Sequence, residues 1–364
     1  MRILSVIDGI GWGGTKEQVY LLAKELAKRG MDVHLALAFE YGKMVEKLTP
    51  YGVKFHFFEH HSKLSRFSLA NYYRLWKIIK NGDFDVVIAN SPHAFDFVRL
   101  VYPFLSKRPK LVAVKRSGRI PNIMSLKFKY AYADALVVVS STIKEELLNV
   151  GFPAEKVFVV ESGIDTERFR PDPTIREIVR SKLHIPPDAK VFINVANWNP
   201  KVKGQDRLIE TFSKLKCDEC YLVLVGIDTD IYAPELLRKY GIESKSLALG
   251  FREDVDELLN MADFFVLSSY LEGISNALLQ AMACGKVVIS TKAGGIEKAI
   301  KDGKNGFLVD VGDFDGLLRK MMQVISLTEG DLIRISKEAI KTAQDFSINK
   351  TADGYEKLFE RLLS

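Results

Sequence analysis

Apolar residues recur along this chain in two alternating rhythms. Short runs that are apolar at successive positions are separated by stretches with apolar residues three and four apart. The first run covers residues 3–7 and breaks into a glycine loop, Asp8-Gly9-Ile10-Gly11-Trp12-Gly13-Gly14. Val19, Leu22, Ala23 and Leu26 then follow helical spacing, with Gly30 as the stop. Further strands are predicted over 32–39, 84–89, 111–114, 135–139 and 157–160, with a helix over 142–150. A Pro- and charge-rich stretch, Arg168-Phe169-Arg170-Pro171-Asp172-Pro173, reads as a linker. The alternation then restarts, with strands over 191–195, 221–225, 247–249, 264–267 and 287–290. Helices are predicted over 206–215, 255–261 and 277–284, and a last one over 346–363. Strands apolar on both faces imply a covered parallel sheet, and the helices between them imply right-handed crossovers. The expectation is an α/β chain with two domains, 1–165 and 166–345, and a final segment, 346–364.

Composition narrows the class. The 364 residues are 47% hydrophobic and 27% charged, which is ordinary for a globular chain and excludes disorder or a collagen-like fibre. No apolar run approaches the roughly 18 residues of a membrane span, and Asp8 cuts short any leader-like start. The three Cys fit a reducing, cytoplasmic setting, with Cys217 and Cys220 read as two thiols flanking a strand start. Charge is uneven: residues 1–170 carry 26 Lys and Arg against 17 Asp and Glu, whereas 171–364 carry 26 against 29. The basic half suits an anionic partner.

Several segments carry candidate chemistry. Gly9-x-Gly11-x-x-Gly14 lies between a strand and a helix, and resembles a dinucleotide fingerprint or, more plainly, a tight turn. The richest segment runs from Ala262 to Gly285. A buried strand leads to Glu272 and Gly273, and Ser275 or Asn276 can cap the next helix. The first-turn amides near Ile274, Ser275 and Asn276 suit a diphosphate, helped by the helix dipole. Glu272 is placed to accept from sugar hydroxyls, and Gln280 to reach a ribose. Asp228-Thr229-Asp230 has the form of a metal-bridging pair but reads better as a surface turn. His93 follows the third strand at the edge that faces ligands in such sheets.

The 262–285 segment resembles the Glu-x7-Glu signature of retaining GT-B glycosyltransferases. Within them it is similar to the large family that includes lipopolysaccharide-core glucosyltransferases and phosphatidylinositol mannosyltransferases. Gly13-Gly14, the strand over 133–140, Ser162-Gly163-Ile164-Asp165, Lys203-Gly204, Gly250-Phe251-Arg252, Gly294-Gly295 and Asn305-Gly306 continue the likeness in order. The resemblance implies two Rossmann-like domains facing across a cleft, with the last helix returning to the first. It implies a nucleotide-sugar donor held by Gly13, Gly14, Asn197, Lys203, Arg252, Ile274, Ser275, Asn276 and Gln280. Glu272 would position the sugar. No cofactor or obligatory metal is expected, because Lys203 and oriented amides would balance the leaving diphosphate.

Three positions depart from the family pattern. Asn197 stands where Arg is usual, and Gln280 stands for the later Glu, losing charge assistance of about 1 kcal/mol. The usual His after the fourth strand is absent from Val114-Lys115-Arg116-Ser117-Gly118, so Arg116 is assigned to bind a phosphate. His93, Lys115 and Arg119 are assigned to the acceptor side. The acceptor is a glycan or glycolipid, in lipopolysaccharide or polysaccharide assembly. Basic stretches interleaved with aromatics (Lys63–Lys77, Phe104–Lys110 and Arg116–Tyr130) suit an anionic membrane surface at its cytoplasmic face. Nucleic acid is not expected, for want of a binding signature. A GT-B epimerase, a phosphorylase or a non-catalytic nucleotide-sugar binder share the same signals.

Overall fold

The computed structural model describes the chain except residues 117–119 and 121–122, and it divides into two compact units. One comprises Met1–Gly163 with Ile348–Ser364, the other Ile164–Ser347.

The first unit is built on a seven-stranded parallel sheet. Its strands are β1 (Arg2–Val6), β2 (Asp32–Ala38), β3 (Lys54–Glu59), β4 (Val86–Ala89), β5 (Lys110–Lys115), β6 (Ala135–Val138) and β7 (Val157–Val159), in the order β3-β2-β1-β4-β5-β6-β7. Every residue of β4 and β6 is buried, the physical reason their sequences are apolar without alternation. Strand order reverses between β1 and β4. In such sheets the loops leaving the strand ends at a reversal frame a crevice. The helix Ile348–Leu363 buries Ala352, Tyr355, Leu358 and Phe359 in the same core as Ile3, Val86 and Val137. Arg29, at the end of the helix Gly14–Lys28, ties it down through Asp353 and Glu356 at 2.7 and 2.6 Å.

The second unit repeats the plan with six parallel strands. They are β8 (Lys190–Val195), β9 (Cys220–Val225), β10 (Ser246–Ala248), β11 (Phe264–Leu267), β12 (Val287–Thr291) and β13 (Phe307–Val309), ordered β10-β9-β8-β11-β12-β13. Here the reversal falls between β8 and β11. Arg180 lies fully inside this unit. Its guanidinium donates to the carbonyls of Met261 (2.9 Å), Pro187 (2.6 Å) and Ala189 (2.8 Å) and pairs with Asp263 at 2.8 Å.

Three expectations are corrected here. The stretch read as a linker is packed: Phe169 is buried, Arg168 pairs with Asp256, and Asn260 holds both Arg170 O and Asp172 N. Cys217 and Cys220 are joined in a disulfide rather than standing as thiols, while Cys284 is buried and its thiol is pushed up to about 12 by burial. Strands β3 and β13 have no counterpart in the sequence reading; both lie at sheet edges, and β3 carries polar Lys54, His56 and Glu59. Among the described residues no helix is long and apolar enough to cross a membrane.

Candidate functional site

The loops at the β8/β11 reversal bring Lys203 and Glu272 together. β8 delivers residues 196–199 and then the one-turn helix Pro200–Lys203. Gly204 ends that turn at φ 64°, a left-handed conformation open to glycine at little cost. A Cβ at this position would lie 2.4 Å from Ser268 O, so the turn sits directly on the chain leaving β11. Ser268 Oγ donates to Lys203 O at 2.9 Å, and Tyr270 N to Val202 O at 2.8 Å.

On that support the Lys203 ammonium meets Glu272 Oε1 at 2.7 Å, and Ser269 Oγ donates to the same oxygen at 2.7 Å. The carboxylate side chain is only 9% exposed and the lysine 28%, so the pair is shielded without being sealed. From the other side Gly294, at φ 63°, passes so close that a Cβ would lie 1.9 Å from Glu272 O. Gly295 N donates to Gly273 O at 2.9 Å. The Glu272 loop is thus clamped between two glycine turns.

The helix Asn276–Ala283 starts just beyond. Ser275 is its cap, with Oγ accepting from Leu278 N at 3.3 Å. First-turn amides have no acceptor inside their own helix, which leaves them suited to an anion. Gln280 lies half-buried one turn further on. Asn197 follows β8, and its Oδ1 accepts from Ile227 N at 3.1 Å, which leaves the amide nitrogen to donate elsewhere. Arg252 is engaged with Asp254, which raises its already high pKa. Asp228 and Asp230 stand at the opening of the helix Thr229–Lys239, with the Asp230 carboxylate packed under Gly250.

The first unit's reversal carries a different arrangement. The loop after β1 is held by polar groups. Ser91 Oγ donates to Asp8, Lys16 Nζ donates to Asp8 O, and Gly9 N donates to the buried Glu59 at 3.0 Å. Burial pushes the Lys16 ammonium below its ordinary value, although Asp8 and Glu59 oppose this. A Cβ at Gly11, Gly13 or Gly14 would meet nothing within 4 Å, and Gly13 is simply extended. Among the described residues packing does not require glycine at 11, 13 or 14.

Of the acceptor-side residues, His93 Nε2 lies 2.6 Å from Arg66 Nη2, a guanidinium nitrogen that can only donate. Lys115 closes β5, buried, with its ammonium pushed down by desolvation. Arg119 lies outside the described residues. The Arg116 guanidinium lies against the Tyr355 hydroxyl on the last helix, and its Nε and Nη1 are buried with no partner among the described residues. Position at a strand end does not fix which way a long side chain turns. Sequence reasoning also missed Ser269 and Arg66. A pair of serines directly after a buried strand was the available signal for the first.

The profile of glycosyl transferases group 1 matches residues 175–343, and that of glycosyltransferase family 4 matches residues 12–168. The N-acetyl-alpha-D-glucosaminyl L-malate synthase of Bacillus anthracis is 27% identical over 98% of this chain and 95% of its own. A lipopolysaccharide core biosynthesis glycosyltransferase of Rhizobium meliloti, LpsE, is 28% identical over 58% and 59%. Among solved structures, Anabaena Alr3699/HepE, in complex with UDP and glucose, superposes with a TM-score of 0.85 at 22% identity, covering 99% of this chain and 100% of that one. The likeness in fold extends over both units.

Proposed function

This chain belongs to the glycosyl transferases group 1 family of GT-B glycosyltransferases, and from that premise we propose that it moves a sugar, with retention, from a nucleotide-sugar donor to a hydroxyl of a glycan or glycolipid of the cell envelope. The observation that carries this reading is the Lys203–Glu272 pair beside the N-terminus of the helix Asn276–Ala283. Without donor, the two charges satisfy one another. A nucleotide sugar offers each a better partner: the diphosphate takes the ammonium, and the sugar hydroxyls take the carboxylate, which Ser269 keeps in place.

In the reaction the bond from the anomeric carbon to the phosphate oxygen breaks, and a bond to the acceptor oxygen forms on the same face. The acceptor's proton passes to the departing diphosphate. Charge gathers on that leaving group, and groups already aimed at it lower the barrier. Lys203, the amides of Ile274–Asn276 and the Asn197 amide nitrogen serve this purpose, without a resident metal. Gln280 accepts from the ribose, and the loop bearing Arg252 lies beside the base. Gly13 and Gly14 give backbone access to the sugar, and His93 and Lys115 belong to the acceptor side. UDP bound to the structurally similar HepE supports a nucleoside diphosphate ligand. The lipopolysaccharide role of LpsE supports an envelope acceptor. The setting is cytoplasmic, at an anionic membrane surface.

The test is a thermal-shift screen against UDP-, GDP- and ADP-sugars, followed by product analysis. One nucleotide sugar should raise Tm at concentrations above its Kd. The product's anomeric configuration should match the donor's. Epimerised donor, or release of a sugar phosphate, would point to the epimerase or phosphorylase chemistry instead.

A further inference from the structure

The helix Leu69–Gly82 is apolar on two faces. Asn71, Leu75 and Ile79 face the core. Leu69, Tyr72, Tyr73 and Trp76, also at helical spacing, face a groove of about 670 Å3 closed on its far side by Leu100, Val101 and Phe104. Phe67 is 81% exposed, Leu69 83% and Phe104 76%. A soluble chain seldom leaves so many large apolar groups in one patch without a partner. The patch is also built: Trp76 Nε1 donates to Phe104 O at 3.0 Å, Tyr73 stacks on Trp76 at 5.8 Å, and Tyr72 donates to Arg66 O at 2.8 Å.

The charge around the groove is predominantly basic. Residues 63–82 contain Lys63, Arg66, Arg74, Lys77 and Lys80, and residues 99–110 contain Arg99, Lys107, Arg108 and Lys110, with no carboxylate in either stretch. Asp83 and Asp96, which pair with Lys107 and Arg99, lie just outside. Lys80 covers the Trp76 ring at 4.5 Å, and Lys77 and Lys80 are exposed. A second copy on a two-fold axis would set this basic rim against itself, which opposes dimerisation through the groove. An anionic lipid leaflet complements both parts, with hydrocarbon for the aromatics and phosphates for the rim.

Resting on the membrane partner of the proposed function, we infer that this groove is the lipid-contact site: Phe67, Leu69 and Phe104 enter the leaflet, an acyl chain of an anionic phospholipid lies in the groove against Trp76, and the surrounding lysines and arginines hold lipid phosphates.

The full chain is tested with vesicles of phosphatidylcholine alone or with phosphatidylglycerol at about one lipid in three. Binding is read by co-sedimentation, and insertion by quenching of tryptophan fluorescence by lipids brominated on the acyl chain. The anionic vesicles should bind at least about tenfold more tightly. Phe67→Ser combined with Phe104→Ser should lower that binding by about tenfold or more with Tm unchanged, because both side chains stand clear of the core. Trp76→Phe should remove most of the bromine quenching. The inference is overturned by absence of binding to anionic vesicles, by binding that the double variant leaves intact, or by binding without quenching. A dimer that the double variant dissociates, or a nucleic acid that competes for the groove, also overturns it. Vesicle binding involves no nucleotide sugar. A chain that transfers sugar but ignores vesicles therefore refutes only the groove, and one that binds vesicles but no nucleotide sugar refutes only the transferase reading.

Discussion

At the end of the second unit's sheet backbone packs on backbone, while at the end of the first unit's sheet ions hold a loop that stays open above. Gly204 and Gly294 press on Ser268 O and Glu272 O, leaving no room for a Cβ. Gly11, Gly13 and Gly14 press on nothing. The first arrangement fixes one carboxylate to within the precision that chemistry needs. The second leaves room for ligands of different shape. Under the proposed function, the two repeats of one fold would divide the work, the packed loops holding the donor and the open loop meeting the acceptor.

The largest effect separates two buried arginines. Arg180 has its carbonyls and Asp263, whereas Arg116 has Tyr355 and two nitrogens without a partner among the described residues. Arg180→Met leaves the carbonyls of Met261, Pro187 and Ala189 without their donor, while Asp263 keeps Arg176, and should cost about 3 kcal/mol in urea unfolding. Arg116→Met removes a poorly compensated charge and should cost under about 1 kcal/mol. Equal costs would erase the contrast. Next, Glu272→Ala should lower kcat about 10²–10³-fold with Tm little changed, since the carboxylate positions the sugar for reaction rather than packing in the core. A smaller loss, about a hundredfold, is expected for Gly294→Ala, which pushes the Glu272 loop aside. That variant should also lower Tm. Gly13→Ala should keep Tm and slow transfer, and a Tm loss as large as that of Gly294→Ala would contradict the open loop.

The smallest effect concerns two half-buried lysines, Lys16 in the first unit and Lys286 in the second. Burial lowers both, Lys286 to about 8 from 10.5. Below about pH 8 the folded chain bears the full cost of a buried ammonium. Between about 8 and 10.5 the unfolded chain binds more protons than the folded one, so this contribution to stability rises with pH. Lys286→Met should therefore melt a few degrees higher than the parent near pH 7, and the gap should narrow near pH 9.5. A gap that is independent of pH would remove burial as its cause.

What the sequence makes legible follows the same contrast. Crowded backbone demands particular residues, so Lys203-Gly204, the Glu272 loop and Gly294-Gly295 stand out as motifs. The buried strands are visible because both faces are covered. Edge strand β3 is not, since only Phe58 and Glu59 of its six residues are buried. Local spacing says nothing of where a long side chain turns, so the place of Arg116 against Tyr355 is not legible in it. Likewise Phe169 and Arg168 look like linker residues until Asp256 and Asn260, distant in sequence, arrive beside that segment.

The central claim is that a nucleotide sugar divides the Lys203–Glu272 pair, its diphosphate taking one charge and its sugar the other. Calorimetric titration of the nucleoside diphosphate and the nucleotide sugar into Lys203→Gln and Glu272→Gln tests it directly. Lys203→Gln should weaken both ligands about equally, while Glu272→Gln should keep the nucleoside diphosphate and lose the added affinity of the sugar. If both variants bind both ligands as the parent does, the pair has no part in holding the donor.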